Sequence, residues 1–165
     1  MHTIPFEHLL ASHLRGVHRL AIGLIGNEQV GHEVAQEALT KAWRARDSYD
    51  RSRPFAPWLF RIVRNSCKDA QSRRARQPTS PMDPERVLSS APSPVEILSQ
   101  ADAEALLQQA IQGLSEDHRE IIALRHFQEL TYAEIAEVLN IPQPTVMSRL
   151  YRARRSLTRR LEDQR

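Results

Sequence analysis

The sequence predicts an all-α protein: two small helical domains joined by a flexible linker. Three observations carry that expectation. Apolar residues recur at helical spacing in every long segment, and nothing alternates as a half-buried strand would. Residues 78–94 (PTSPMDPERVLSSAPSP) hold five of the ten prolines together with serines and acids, which is linker composition. Residues 131–161 combine a helix-capping signature, a tight turn and a basic helix. The expected boundaries are a first domain over 1–77, the linker over 78–94 and a second domain over 95–165.

In the first domain, Phe6, Leu9, Leu10, Leu14, Val17, Leu20, Ala21, Leu24 and Ile25 have the spacing of one helix from Pro5 to Ile25, ended by Gly26-Asn27. His8, His13 and His18 interrupt it five residues apart. Each then lies roughly 140° from the last, so they read as surface or boundary residues and not as ligands of one metal. A second helix runs from Glu28 to Arg46. Val30, Val34, Ala35, Ala38, Leu39, Ala42 and Trp43 face inward, with Trp43 in the core. His32-Glu33 begins an H-E-x-x-H pattern, but Gln36 stands where the second histidine is required. Residues 47–55 (DSYDRSRPF) form a polar loop. A third helix follows from Ala56 to Gln77, its apolar side carrying Trp58, Leu59, Ile62, Val63 and Ser66-Cys67. Aromatic rings interleaved with arginines beside a loop suit single-stranded nucleic acid, because bases stack on rings while the backbone follows positive charge. Composition leaves open whether Phe55 and Trp58 do this or fill the core.

The second domain opens with an amphipathic helix, Val95 to Gln112, closed by Gly113. Ser115 caps the next helix, which runs to Phe127 with Ile121, Ile122 and Leu124 inward. Thr131 and Glu134 have S/T-x-x-E spacing, so each side chain can satisfy a free backbone donor of the other. Ile135, Ala136 and Leu139 share one face of the helix they start. Asn140-Ile141-Pro142 ends it, and a longer helix begins near Gln143 with Pro144 in its first turn, where no amide bond is lost. On this last helix Val146, Leu150, Ala153 and Leu157 make the buried stripe. Ser148, Tyr151, Arg152 and Arg155 point the other way, Arg149 and Arg154 lie on the flanks, and Met147 falls at the boundary. Short helix, turn and longer basic helix are the parts of a helix-turn-helix, whose second helix enters the DNA major groove.

Charge supports nucleic-acid contact at two places. Formal net charge is only +3, but residues 51–77 carry eight basic residues against Asp69 alone, and residues 145–165 carry seven arginines against Glu162 and Asp163. Between them, residues 78–120 carry eight acids against Arg86 and Arg119. Two basic blocks imply two contact surfaces. Cys67 is the lone cysteine, which excludes an intramolecular disulfide and fits a reducing cytoplasm; inside a helix it reads as a buried, inert thiol. No apolar run approaches the roughly 18 residues that span a bilayer, and no signal-peptide pattern opens the chain. An enzymatic reading has only scattered histidines behind it, and nothing calls for a cofactor or metal.

The chain resembles bacterial RNA polymerase sigma factors of the extracytoplasmic-function group. FEHLL, EVAQEALTKAWRARDSYD and RPFAPWLFRIVRN are similar to the family's σ2 domain. LSEDHREIIALRHFQELTYAEIAEVLNIPQPTVMSRLYRARRSL is similar to σ4. Both motifs in this order, joined by a Pro-rich linker, make the resemblance specific. It implies a non-enzymatic factor that binds core RNA polymerase, through the β′ clamp and the β flap, and starts transcription at chosen promoters. The second σ2 helix would dock on the clamp through Glu33, Gln36, Glu37, Leu39, Thr40 and Arg44. The following loop and third helix would capture a flipped base of the −10 element through Ser48, Tyr49, Arg53, Phe55, Trp58, Arg61 and Asn65. The recognition helix would read the −35 element through Thr145, Ser148, Arg149, Tyr151, Arg152 and Arg155. With two small domains on a tether, polymerase would set their separation and make two weak DNA contacts act as one bivalent reader. Without a fused inhibitory domain in the sequence, control is expected from a separate anti-sigma factor.

Four departures from the family pattern stand out. Gln29-Val30-Gly31-His32 replaces most of an acidic cluster before the docking helix, and Leu39 stands where an aromatic is common. Pro144 replaces a usual glycine, and Met147 a usual basic residue. The competing expectation is an autonomous helix-turn-helix regulator that grips operator DNA without polymerase, on half-sites one turn apart.

Overall fold

The computed structural model describes residues 4–76 and 100–163, and the expected linker over 78–94 lies outside them. Eight α-helices are described: α1 (Phe6–Ser12), α2 (Leu14–Ile25), α3 (Glu28–Arg44), α4 (Phe55–Arg76), α5 (Gln100–Gln112), α6 (Glu116–Ile122), α7 (Tyr132–Leu139) and α8 (Gln143–Asp163). A 3-10 turn, Arg46–Ser48, follows α3, and a π-helical turn, Ala123–Phe127, follows α6. There is no strand among the described residues.

The expected first helix is two helices. Ser12 Oγ donates to the Leu9 carbonyl at 2.8 Å, and His13 Nδ1 lies 2.8 Å from that same oxygen. Side chains thus take the acceptor that the His13 amide would use, and that amide bonds Leu10 instead. The helix breaks at His13 and restarts, turning Phe6 inward against Phe55, Trp58 and the edge of Trp43. Gly26 ends α2 at φ +75°, a left-handed conformation that suits glycine, and the Asn27 side chain caps α3 by accepting from the Val30 amide.

α2, α3 and α4 form the N-terminal bundle around Val17, Leu20, Ala21, Val34, Ala38, Leu59 and Val63. Trp43 departs from expectation. It is 41% exposed at the end of α3, with the Arg46 guanidinium 5.1 Å over its ring. Its ring meets that of Phe6 edge-on, with centres 6.0 Å apart. Cys67 is buried as expected; burial, then Glu120 and Glu37, push its thiol up to about 12.

The helix-turn-helix forms as its residues dictate. The Thr131–Glu134 capping box is complete, with the Thr131 amide donating to Glu134 Oε2 at 2.8 Å and the Glu134 amide to Thr131 Oγ1 at 3.2 Å. Asn140 takes the left-handed turn at φ 53°. Ile135, Val138 and Leu139 of α7 meet the α8 stripe of Val146, Leu150 and Ala153, while Ala136 and Leu157 pack at its margin. Ser115 occupies the N-cap of α6, but its side chain makes no capping bond.

The main difference from expectation is that the two halves are packed together. α7 lies on α4, and α6 with the π turn lies on α2, so Leu20, Leu24 and Val63 share one continuous core with Ile121, Leu124 and Ile135. This contact joins residues far apart in the chain, Arg64 to Glu120 across 56 positions and Leu24 to Arg119 across 95, and helical periodicity in either half does not reveal it.

His18 of α2 and His32 of α3 place their Nδ1 atoms 3.0 Å apart. Burial, and then the neighbouring His32, lower the His18 pKa. The unfolded chain therefore takes this proton more readily than the folded one. Its contribution to stability is present above about pH 6.5, the unperturbed value, and is lost as pH falls through the lower folded value. The thermal midpoint should fall on acidification from neutral pH through that window, and His18→Gln should flatten the dependence in calorimetry.

Candidate nucleic-acid and polymerase interfaces

The outer face of α8 presents the residues expected to read duplex DNA. Ser148, Tyr151, Arg152 and Arg155 are exposed, and Thr145 is half-buried near the turn. Tyr151 is the most open large hydrophobic side chain among the described residues at 62%, with the Arg155 guanidinium 5.8 Å from its ring centre. Ser148 Oγ donates to the Thr145 carbonyl at 3.1 Å, and Arg152 Nε reaches the Ser148 carbonyl at 3.4 Å, which leaves the rest of that guanidinium outward. Met147 stands on the outside, 54% exposed, and not at the boundary that its angular position suggested. Arg149 differs from the rest of the group. It is only 20% exposed and pairs with Asp117 of α6 at 3.5 Å, so it holds α8 to its own bundle.

The loop and the start of α4 form an aromatic wall. Tyr49 and Trp58 are half-buried, with ring centres 5.4 Å apart, and the Tyr49 hydroxyl donates to the Arg53 carbonyl at 2.7 Å. Ser48 is exposed and bonds the Ala45 carbonyl. Phe55 is a correction to the expected set. It is 6% exposed, edge-on to Phe6 and Tyr49, and backs the wall from inside instead of offering a face to a base. Split α1 brings Phe6 there, and the unbroken helix expected from sequence gave Phe55 no such partner. Asn65 is exposed.

The arginines of this surface face the C-terminal half. Arg61 Nη2 donates to the Glu137 carbonyl at 2.7 Å, and Arg53 pairs with the Glu137 carboxylate at 3.4 Å. Arg64 pairs with Glu120, which is 2% exposed, and Lys68 lies 3.6 Å from Glu116. No motif in the sequence singles out Glu137, Glu120 and Glu116, or Arg64 and Lys68 as partners of the last two. For Glu116 and Glu120 the one signal is a basic block over 51–77 followed by an acidic block ending at Glu120.

On α3, Glu33, Gln36, Glu37, Thr40 and Arg44 follow i, i+3, i+4, i+7, i+11 and share one face. Glu33, Gln36, Thr40 and Arg44 are exposed. Glu37 is half-buried between Lys41 Nζ at 2.9 Å and Arg73 Nη2 at 3.0 Å, and the hydrogen bonds from these two hold its carboxyl below the usual range. Leu39 lies beside this ridge, half-buried against the core. One of the four residues standing where the resemblance implies an acidic cluster has a structural role: Gly31 lies where α3 crosses the backbone of α2 at Ile22. Among the described residues, no group of three or more His, Cys, Asp or Glu side chains could hold a metal, and no helix is long and apolar enough to cross a membrane.

Comparison with known proteins matches both halves. Residues 9–77 match the family described as Sigma-70 region 2, and residues 104–157 match Sigma-70, region 4. The chain is 31% identical over 166 residues to the RNA polymerase sigma-H factor of Pseudomonas aeruginosa, covering 95% of this chain and 86% of that protein. It is 30% identical to the ECF RNA polymerase sigma factor SigW of Bacillus subtilis, over 89% of this chain and 83% of that one. The fold is similar to the sigma factor RpoE of Bartonella quintana, solved in complex with the anti-sigma factor NepR, with a TM-score of 0.78, 28% identity, and coverage of 97% of this chain and 98% of that one.

Proposed function

The chain belongs to the extracytoplasmic-function sigma factors of bacterial RNA polymerase, and from that premise we propose how its surfaces divide the work of initiation. It binds core RNA polymerase and directs transcription from particular promoters; the polymerase performs the synthesis. The division proposed is a first unit over 1–77, a linker over 78–94 and a second unit over 95–165. The exposed α3 ridge of Glu33, Gln36, Thr40 and Arg44, with Glu37 at its edge, takes the β′ clamp. Tyr49, Trp58, Arg53, Arg61 and Asn65 hold an unpaired −10 base and its strand, with Ser48 at the loop and Phe55 as backing. The outer face of α8 reads the −35 duplex. Such a factor works where polymerase and chromosome are.

What favours this over an autonomous regulator is a second surface besides the exposed basic face of α8: the half-buried Tyr49 and Trp58 beside Arg53 and Arg61 at the loop and the start of α4. A regulator needs only the first. Purified chain mixed with core polymerase should co-elute in gel filtration and start transcripts from members of a randomised promoter library. Tight operator binding by the chain alone, with no transcripts, would favour the regulator. Because the Bartonella relative was solved with an anti-sigma factor, a separate inhibitor that covers polymerase-binding faces also fits this chain. Recovery from cells always free or polymerase-bound would count against it.

The departure at Met147 supports a further expectation. Met147 and Tyr151, one turn apart and both open, offer an apolar surface beside Arg152, and apolar side chains in the major groove favour the thymine methyl. Replacing one thymine of the −35 element by deoxyuridine should weaken promoter use severalfold. Met147→Ala should abolish that sensitivity in a transcription assay.

A further inference from the structure

We propose that His18 of α2 and His32 of α3 form a two-imidazole site for a divalent late transition-metal ion, copper(II) ahead of nickel(II). Along α2 the spacing of His8, His13 and His18 denies His18 a partner, but α3 supplies one. Gly31 lets α3 cross the backbone of α2 at Ile22, one turn beyond His18, and His32 follows Gly31 directly. The crossing brings the two rings together, with centres 4.9 Å apart and planes tilted by 52°. Their Nδ1 atoms lie 3.0 Å apart. Ring nitrogens this close share a proton or a cation, since two facing lone pairs repel. Glu28 Oε1 lies 3.8 Å from His32 Nε2 and favours a proton there, which leaves the His32 Nδ1 lone pair turned to His18. Without metal, the proton on His18 Nδ1 fills the gap. A metal ion takes its place, and that proton moves to Nε2 of the same ring, so both imidazoles stay neutral and no proton is lost.

The distance selects the metal. Imidazole nitrogen binds such ions at about 2.0–2.1 Å, so two bonds to one ion span 3.0 Å at an angle of about 90°. That is the cis angle of square-planar or octahedral coordination, which suits copper(II) and nickel(II), whereas a tetrahedral zinc ion needs the nitrogens about 3.4 Å apart. Copper(II) also stands highest in affinity for nitrogen ligands, and magnesium and calcium call for oxygen donors. The site is open to solvent. The His32 side chain is 48% exposed and His18 is half-buried, so water completes the coordination shell from outside. Two protein ligands make an exchangeable site and not a closed structural one. A bound ion ties α2 to the first turns of α3, one residue before Glu33 at the head of the exposed ridge.

The test titrates the full chain with copper(II) chloride at neutral pH. Calorimetry reads affinity, pulsed electron paramagnetic resonance counts the coordinated imidazoles, and the thermal midpoint reads the brace between the helices. The wild type should hold one ion on two imidazoles. His18→Gln or His32→Gln should weaken that ion by more than about tenfold, the least that losing even a partner which orients a ligand costs. His2→Gln with His8→Gln removes two histidines elsewhere and should leave it in place. At a hundredfold excess over the dissociation constant, copper should raise the wild-type midpoint by about 5 °C and leave both site variants unmoved. Zinc should bind the wild type more weakly than copper, and magnesium should not bind at all. Because His32 is exposed, His32→Gln decides the matter where His18→Gln fails to fold. Equal copper affinity in wild type and in the chain carrying both His18→Gln and His32→Gln would overturn the proposal. So would the absence of saturable binding by wild type, or a bound ion with a single imidazole.

Discussion

Arg152→Ala is expected to lower transcription from the chain's own promoter about 10- to 100-fold, because a bidentate guanidinium–base contact in the major groove carries roughly 1–3 kcal/mol of discrimination. Arg152 is exposed on the outer face of α8, and its bond inside the protein is a long one to the Ser148 carbonyl. Removing it leaves the Val146–Leu150–Ala153 stripe intact, so the thermal midpoint should stay within about a degree, as for ordinary surface substitutions. Promoter selection from a randomised upstream element should relax at one position and stay sharp at the others. Arg149→Ala is the instructive contrast. Arg149 is held against Asp117, so its loss should loosen α8 on α6 more than it alters base preference.

Gly31→Ala should destabilise the N-terminal bundle by about 2–3 kcal/mol, the cost of overpacking a tight helix crossing. A Cβ at Gly31 would stand 2.6 Å from Ile22 Cα and 3.0 Å from Ile22 N. These are backbone atoms of α2, which cannot rotate away as a side-chain tip can, so α3 must move. The thermal midpoint should fall by about 10 °C or more. Core polymerase affinity should fall with it, because Glu33, Gln36, Thr40 and Arg44 ride on the displaced helix. Gly23→Ala tests the same chemistry without the crossing. A Cβ there meets nothing within 4 Å, and the substitution should stabilise α2 by about 0.5–1 kcal/mol. Calorimetry on the two variants should therefore give shifts of opposite sign.

What could be read from sequence was what local physics decides. The Thr131–Glu134 box, the Asn140 turn and the α8 stripe depend on residues within a few positions of each other, and each formed as expected. Where a side chain competed with the backbone, periodicity misled. Ser12 and His13 take the Leu9 carbonyl and split a helix whose apolar spacing is continuous. Phe55 and Trp43 exchange their expected places for the same kind of reason, since Phe6 arrives from the broken helix and covers one and only the edge of the other. The contact between the two halves was the least legible part. Arg61 and Glu137 are 76 residues apart, and no pattern within either half pairs them. Charge blocks gave the sign of that attraction without its partners.

On the proposed division of labour, two separate DNA surfaces act as one reader only when polymerase fixes the distance between them. The most direct test varies the spacing between the −35 and −10 elements of a selected promoter one base pair at a time, in transcription with purified core polymerase. One sharp optimum is expected, with output falling about tenfold or more within two base pairs on either side, because each step both lengthens and rotates the duplex between two held sites. Output indifferent to spacing, or retained when either element is scrambled, would contradict it.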